Sequence, residues 1–392
     1  MFYLFIYAFI VYNFHPILCQ RRIVNGLPAD NARYMAYFVK SPLSPIKYTA
    51  WLCGGCIIHP VFILTSTSCL YDVHFVYAIA GYKKYVSSDK IEDDPCTKRL
   101  KKKVVAWCRD TDFSMKIDWI DWWNWNNVGL ARVESPYDFL DRSYLLHCSY
   151  IPTYINVNYH KEFQRPGRDV VTLGWGSSQY YRPEGDLKDY NEKTLLYGSS
   201  VIITKEECHP GYKPHGGKFD KHINKHWICI IQLHGRLDVD GNIVRTFSHP
   251  VESCNEKHKL RNAMVPEECV DTKSFRRFNK YNTTLNNETF YILPSRRAGI
   301  CQNDHGGPLV TWIGKQPYVI GVATAFLVDE SMRCRGPYTF SSTYCHSRII
   351  HCSMRAQITW CIFSGQEEQI IVGPVVTTSR NYRGKHNQRK FK

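Results

Sequence analysis

From Tyr34 onward the chain is a succession of short apolar runs, each closed by Gly, Pro, Asn or charge, and this punctuation limits the fold more than any other feature. The runs cover 35–38, 55–58, 62–65, 75–80, 103–107, 128–132, 170–173, 194–203, 309–313 and 318–325. Aromatic and β-branched residues are dense in them and helical periods are few. Pro42, Pro45 and Pro337 fall between runs, as residues without a backbone N–H should. Many short strands at modest spacing predict an all-β fold, an antiparallel sandwich or barrel. With 392 residues and 44% hydrophobic side chains, the chain has room for one large domain with insertions or for two ordinary ones, and wholesale disorder is excluded.

Sixteen cysteines are scattered along the chain with a single C-x-x-C, Cys53 to Cys56, and no second pair to complete a zinc module. Disulfides are therefore expected, and with them an oxidising compartment. Residues 1–19 are rich in Phe, Tyr, Ile, Leu and Val, carry no formal charge and give way to Arg21 and Arg22, which reads as a secretory signal. As a membrane span the run is too short, broken by Asn13, His15 and Pro16. The acceptors Asn282 and Asn287, each followed two residues later by Thr, agree with a secreted, extracellular glycoprotein. Residues 231–293 hold mixed charge and few strand-like runs, and predict an inserted surface excursion. Residues 356–392 predict a solvated, mobile basic tail.

Several motifs then occur in a fixed order. Arg22-Ile23-Val24-Asn25-Gly26 resembles the activation site of the trypsin/chymotrypsin family of serine proteases. Cys53-Gly54-Gly55-Cys56, followed by Leu64-Thr65-Ser66-Thr67-Ser68-Cys69, resembles that family's first disulfide loop. Gly174-Trp175-Gly176 is similar to its Gly-Trp-Gly turn, and Trp227-Ile228-Cys229 to its later cysteine segment. Cys301-Gln302-Asn303-Asp304-His305-Gly306-Gly307-Pro308 resembles the nucleophile loop, and Gly336-Pro337-Tyr338-Thr339 the closing strand. The resemblance implies a double antiparallel β-barrel over residues 23–355, interrupted by the insert and preceded by a short activation segment at 20–22. It also implies disulfides Cys53–Cys69, Cys208–Cys229 and Cys301–Cys334, and a buried ion pair between a freed Ile23 amino group and Asp304 after cleavage behind Arg22.

The family's chemistry needs a serine oxygen, a histidine that takes its proton and an aspartate that steadies the resulting cation. At the matching positions stand His305, Ser68 and Asn127. A serine is no base near neutral pH, an amide carries no stabilising charge, and nothing activates an imidazole in the nucleophile's place. In a worked triad, loss of nucleophile and base costs about 10⁶ in turnover, on the order of 8 kcal/mol. The former oxyanion hole would use the amides of Asn303 and His305, but the family has glycine where Asn303 stands, because a side chain fits that backbone poorly. The former specificity pocket would hold Gly299, Phe326 and Gly336, of which Gly299 leaves nothing to pair with a substrate Arg or Lys, and Phe326 replaces a glycine and would partly fill the mouth. These substitutions predict a pseudoenzyme, with no catalytic residues, that binds as a cofactor, decoy or regulator for extracellular proteins such as active proteases or their substrates. An active endopeptidase with His59 or His74 as a relocated base is the alternative, and a disulfide-crosslinked extracellular structural protein is a third reading.

Cys96 with Cys108 is expected as a local pair. Cys148 resembles the cysteine that tethers the activation peptide in some members, and Cys19 could be its partner. Cys254 with Cys269 is expected inside the insert, while Cys56, Cys345, Cys352 and Cys361 have no assignable partner. Lys98, Arg99, Lys101, Lys102 and Lys103, with six basic residues between Arg380 and Lys392, supply 11 of the net +15. Charge so concentrated predicts binding of an extracellular polyanion such as a sulfated glycan or acidic protein. Trp119, Trp122, Trp123 and Trp125 read first as packing, then as a stacking site. No nucleic-acid motif, no H-E-x-x-H and no Cys/His ligand spacing occurs, so no metal, cofactor or nucleic acid is expected.

Overall fold

In a computed structural model of the protein, the structure describes residues 26–42, 44, 47–71, 75–110, 113, 127–177, 180–215, 217–231, 235–243, 299–355 and 370–372. The described strands are, in chain order, β1 (Leu27–Pro28), β2 (Met35–Lys40), β3 (Leu52–His59), β4 (Phe62–Thr65), β5 (Val76–Ala80), β6 (Lys102–Asp110), β7 (Gly129–Val133), β8 (Asn156–Val157), β9 (Asp169–Gly174), β10 (Leu196–Ile202), β11 (Trp227–Ile231), β12 (Pro308–Ile313), β13 (Gln316–Val328), β14 (Cys334–Ser342) and β15 (Ile370–Val372). They form two closed rings of six antiparallel strands. The first runs β2-β3-β4-β7-β6-β5 and back to β2, the second β9-β10-β11-β14-β13-β12 and back to β9. This is the all-β, trypsin-like double barrel that the ordered motifs predict. Each ring closes on itself, and the edge segments its staggered strands leave open are used by β15 on β6, β1 on β10 and β8 on β13.

The burial of β2 shows why both rings are needed. All six of its residues are buried, although strands of a two-layer fold alternate between core and solvent. Ala36 and Phe38 point into the first barrel beside Ile57, Ile63, Ala78 and Ala131. Met35, Tyr37 and Val39 point the other way, into an apolar seam shared with Trp175, Val310 and Val322 of the second barrel. Tyr37 meets the Trp175 ring edge-on at 4.9 Å, and the indole N–H donates to the Lys83 carbonyl at 2.8 Å. The second barrel is filled by Val170, Ile228, Ile230, Leu309, Ile320 and Phe340.

Three disulfides implied by the resemblance are present: Cys53–Cys69, Cys208–Cys229 and Cys301–Cys334. The expected local pair Cys96 with Cys108 is corrected. Asp94 caps the helix Pro95–Leu100 by accepting from the N–H groups of Cys96 and Thr97, which turns Cys96 inward against the helix Ser143–His147, and there it bonds Cys148. Cys108 lies on β6 opposite Leu130, with its side chain in the inter-barrel seam. The tether from Cys148 to Cys19 falls with the same bond. Cys56 is buried, and Cys345 is exposed with its thiol donating to the Lys225 carbonyl at 3.1 Å.

Two boundaries move. Residues expected to start a surface excursion instead include the end of β11, and 235–243 pack on the second barrel. There Arg236 is bound three times to Asp169, twice through its guanidinium, and Leu237 joins the seam. The tail expected to be solvated contributes β15, which pairs antiparallel with Cys108, Arg109 and Asp110 of β6. Both sequons, Cys254, Cys269, Cys361, His74, the tryptophan cluster and the Arg22–Ile23 bond lie outside the described residues, as do residues 1–19. Among the described residues, no helix is long and apolar enough to cross a membrane.

Candidate functional site

Loops from both barrels meet where β3 passes under the segment 301–307. The Gly54 N–H donates to the His305 carbonyl at 2.8 Å, and Gly306, with φ of 82°, is wedged against Thr65 and the Gly54 carbonyl so closely that a Cβ would collide. This contact brings together the three residues expected from the sequence. Asn127, fully buried at the start of the segment leading into β7, accepts the Ser68 N–H on Oδ1 at 3.0 Å. Ser68 Oγ shares a hydrogen bond with Ser66 Oγ at 2.7 Å. Asn127 Nδ2 has no hydrogen-bond partner among the described residues. The relay of the resembling enzymes thus has an amide where charge is needed and a hydroxyl pair where the base should be.

His305 occupies the nucleophile position half-buried, its ring centroid 5.5 Å from that of Phe326. The apolar surroundings push the imidazole down to about 4, so it is neutral at physiological pH. Phe326 also packs on the Cys301–Cys334 disulfide and stands 6.2 Å from Tyr181. Phe326 therefore stands among His305, Tyr181 and the disulfide, where the resemblance implies the mouth of the specificity pocket. The floor shows something the sequence did not disclose: the Tyr338 ring, fully buried, lies in the space that any side chain at position 299 would need. Gly336 stands beside the same ring and precedes Pro337 through a cis peptide bond.

Asn303 answers the expectation that a side chain fits its backbone poorly. Its φ is 73°, in the left-handed region that asparagine tolerates better than most side chains. Its Nδ2 donates to Asn191 Oδ1 at 2.7 Å and to the Ala50 carbonyl at 3.3 Å, and Asn191 Nδ2 donates to the same carbonyl at 2.7 Å. Two buried amides thus tie the nucleophile loop to the loop at 47–51. Nearby, the Arg182 N–H donates to Gln302 Oε1 at 2.7 Å while its guanidinium lies 4.1 Å above the Tyr48 ring. This network could not be found by motif, because its members lie 112 to 253 residues apart in the chain.

Asp304 is buried against the Gly-Trp-Gly turn. Its carboxylate accepts from the Gly176 N–H at 2.8 Å and the Cys301 N–H at 3.0 Å, and a Cβ on Gly174 or Gly176 would strike it. No cation pairs with it among the described residues. Desolvation, with nearby Glu192 adding to it, raises the carboxyl to about 7. His59, the relocated base of the alternative reading, is exposed at the far end of β3, five residues from Gly54 or about 16 Å at strand rise. Its Nδ1 accepts the Val61 N–H at 3.3 Å. Among the described residues, no group of three or more His, Cys, Asp or Glu could hold a metal ion.

The strand order defines a trypsin-like double barrel, and Ser68, Asn127 and His305 are the residues the resemblance implies at the catalytic positions. No family model and no curated protein matches the chain. Solved structures to which it is similar include an inactivated protease paralogue of the scabies mite, with a TM-score of 0.47 and 13% identity over 85% of this chain and 97% of that one. Another is a mutant of human heparin binding protein, with the same TM-score and identity over 85% and 96%. It is the strand order, not these likenesses, that defines the double barrel.

Proposed function

We infer that the chain is a secreted, non-catalytic serine protease homologue that acts by binding, as a cofactor, decoy or regulator of extracellular proteolysis. The observation that carries this reading is the state of the old cleft. Asn127 Oδ1 is held by the Ser68 N–H, Ser68 Oγ bonds Ser66, and His305 sits neutral beneath Phe326. Four disulfides among the described residues are consistent with an oxidising compartment. The test is a fluorophosphonate probe and a broad peptide mixture, applied to the purified protein intact and nicked at Arg22. Both forms should stay silent, and labelling or cleavage above a His305→Ala control would overturn the reading.

The same reading includes a conformational switch. Cleavage after Arg22 would free the Ile23 ammonium, and Asp304 offers it a buried carboxylate that already has two amide donors but, among the described residues, no cation. A lone buried charge is strongly unfavourable, so the pair would be selected only if both members are used. Amino-terminal sequencing of the secreted protein should begin at Ile23. A start upstream would remove the switch and leave the binding role standing.

A further inference from the structure

Five of the six residues from Lys98 to Lys103 are basic, and the fold sorts them into two sets. Lys101 pairs with Glu92 at 3.0 Å. Lys102 donates to Ser135 Oγ at 2.6 Å and lies over the Tyr137 ring, its ammonium held below the usual lysine range by desolvation. These two serve the barrel. Lys98 and Arg99, in the last turn of the helix Pro95–Leu100, and Lys103, on β6, are exposed and form no ion pair among the described residues. A fourth exposed cation joins them from the neighbouring strand: Arg132 of β7 pairs across from Ala106 of β6 and likewise has no carboxylate partner among the described residues. The acids beside this group include Asp93, Glu134 and Glu92, the last of which is paired with Lys101, and one Glu134 oxygen is engaged by the Lys103 N–H at 2.8 Å.

The other concentration of charge is attached to the same strand. β6 begins at the basic cluster, and its far end, 108–110, is paired with β15, through which the chain continues to the six basic residues of 380–392. No large apolar side chain among the described residues is exposed within 95–110 or 129–134, whereas Leu140, Leu145 and Leu146 are exposed on and beside the helix Ser143–His147 that packs against Pro95–Leu100. The four cations present fixed charge with no apolar side chain exposed among them, which is what a linear polyanion needs along its path. We propose that Lys98, Arg99, Lys103 and Arg132 form a binding site for a sulfated glycan on the outer face of the first barrel, away from the old cleft. The site does not depend on whether that cleft is catalytic.

The experiment titrates the full-length protein with a heparin-derived octasaccharide at 0.15 M salt. The quadruple variant Lys98→Ser, Arg99→Ser, Lys103→Ser, Arg132→Ser should bind at least about tenfold more weakly, with a shallower salt dependence. A charge-matched control, Lys47→Ser, Lys188→Ser, Lys213→Ser, Lys218→Ser, should change affinity by less than about twofold. All eight side chains are exposed, and unchanged thermal unfolding of each variant would verify its fold. Equal losses in the two variants would overturn the site, because net charge alone would then explain binding. So would a protein truncated after Val372 that loses all affinity while the quadruple variant keeps its own. Binding of polyglutamate of equal charge as tightly as the octasaccharide would overturn the assignment to a glycan.

Discussion

The Asp304 carboxyl, raised from its ordinary 3.8 to about 7, makes the intact chain's stability depend on pH in a direction opposite to most carboxylates. The native state keeps this proton where the unfolded chain has released it. The contribution is fully present below about pH 4 and is lost as pH rises through 7, with a slope approaching about 1.4 kcal/mol per pH unit for one proton. In Asp304→Asn the amide would meet the Cys301 N–H donor-to-donor, so the variant is less stable, but this slope should be absent. Urea unfolding of both proteins at pH 4, 5.5 and 7 checks it, with the difference between them narrowing as pH rises. Asn303 gives a second residue-scale prediction. Asn303→Ala loses two hydrogen bonds and a tolerance for positive φ, and should cost about 1–3 kcal/mol, whereas Asn303→Gly keeps the backbone and should cost less. Denaturant midpoints of the two variants measure the difference.

At the scale of elements, the Cys96–Cys148 bond ties the helix Pro95–Leu100 to the helix Ser143–His147 across a sequence separation of 52. Chain-entropy bookkeeping gives such a loop about 4 kcal/mol of stabilisation, roughly 1 kcal/mol more than the local Cys96–Cys108 loop would have given. The double variant Cys96→Ser, Cys148→Ser should lose about 2–4 kcal/mol in denaturant unfolding under non-reducing conditions. β15 should matter far less, since the first ring closes through β6 and β7 without it. Truncation after Arg355 should leave the unfolding midpoint nearly unchanged and speed amide exchange at 108–110. These two elements also show what the sequence could and could not disclose. Ten of the twelve ring strands follow from the short apolar runs, because a strand announces itself through its own residues, while β11 and β14 follow only from the family resemblance. The orientation of Cys96 depends on the Asp94 cap and on a helix about 50 residues away. The docking of 235–243 depends on the Arg236–Asp169 pair, and β15 on an edge that exists only once the first barrel has formed.

For the whole molecule, the juxtaposition of Ser68, Asn127 and the His305 loop agrees with the order of the motifs, and the proposed loss of chemistry rests on residue type. The closure of the cleft was legible only at Phe326. Tyr338 against Gly299 and the Asn191–Asn303–Ala50 network arise from segments that meet only in the folded barrels. This distinction predicts how a rebuilt enzyme would behave. The variant Ser68→His, Asn127→Asp, His305→Ser should gain labelling by a small fluorophosphonate probe, yet cleave peptide substrates no faster than background until Phe326→Gly is added. Comparing labelling with peptide turnover in both variants checks it, and peptide cleavage by the three-residue variant would show that the lid yields.

The lid and the lost relay also bear on descent. A single substitution that restored a nucleophile would find no base, a restored base would find no nucleophile, and either would still lie beneath the Phe326 ring. On the proposed reading, no one-step change therefore restores cutting. If the chain is non-catalytic as proposed, recovery of cutting needs several changes at once, whereas the exposed loops and the charged face can change one residue at a time.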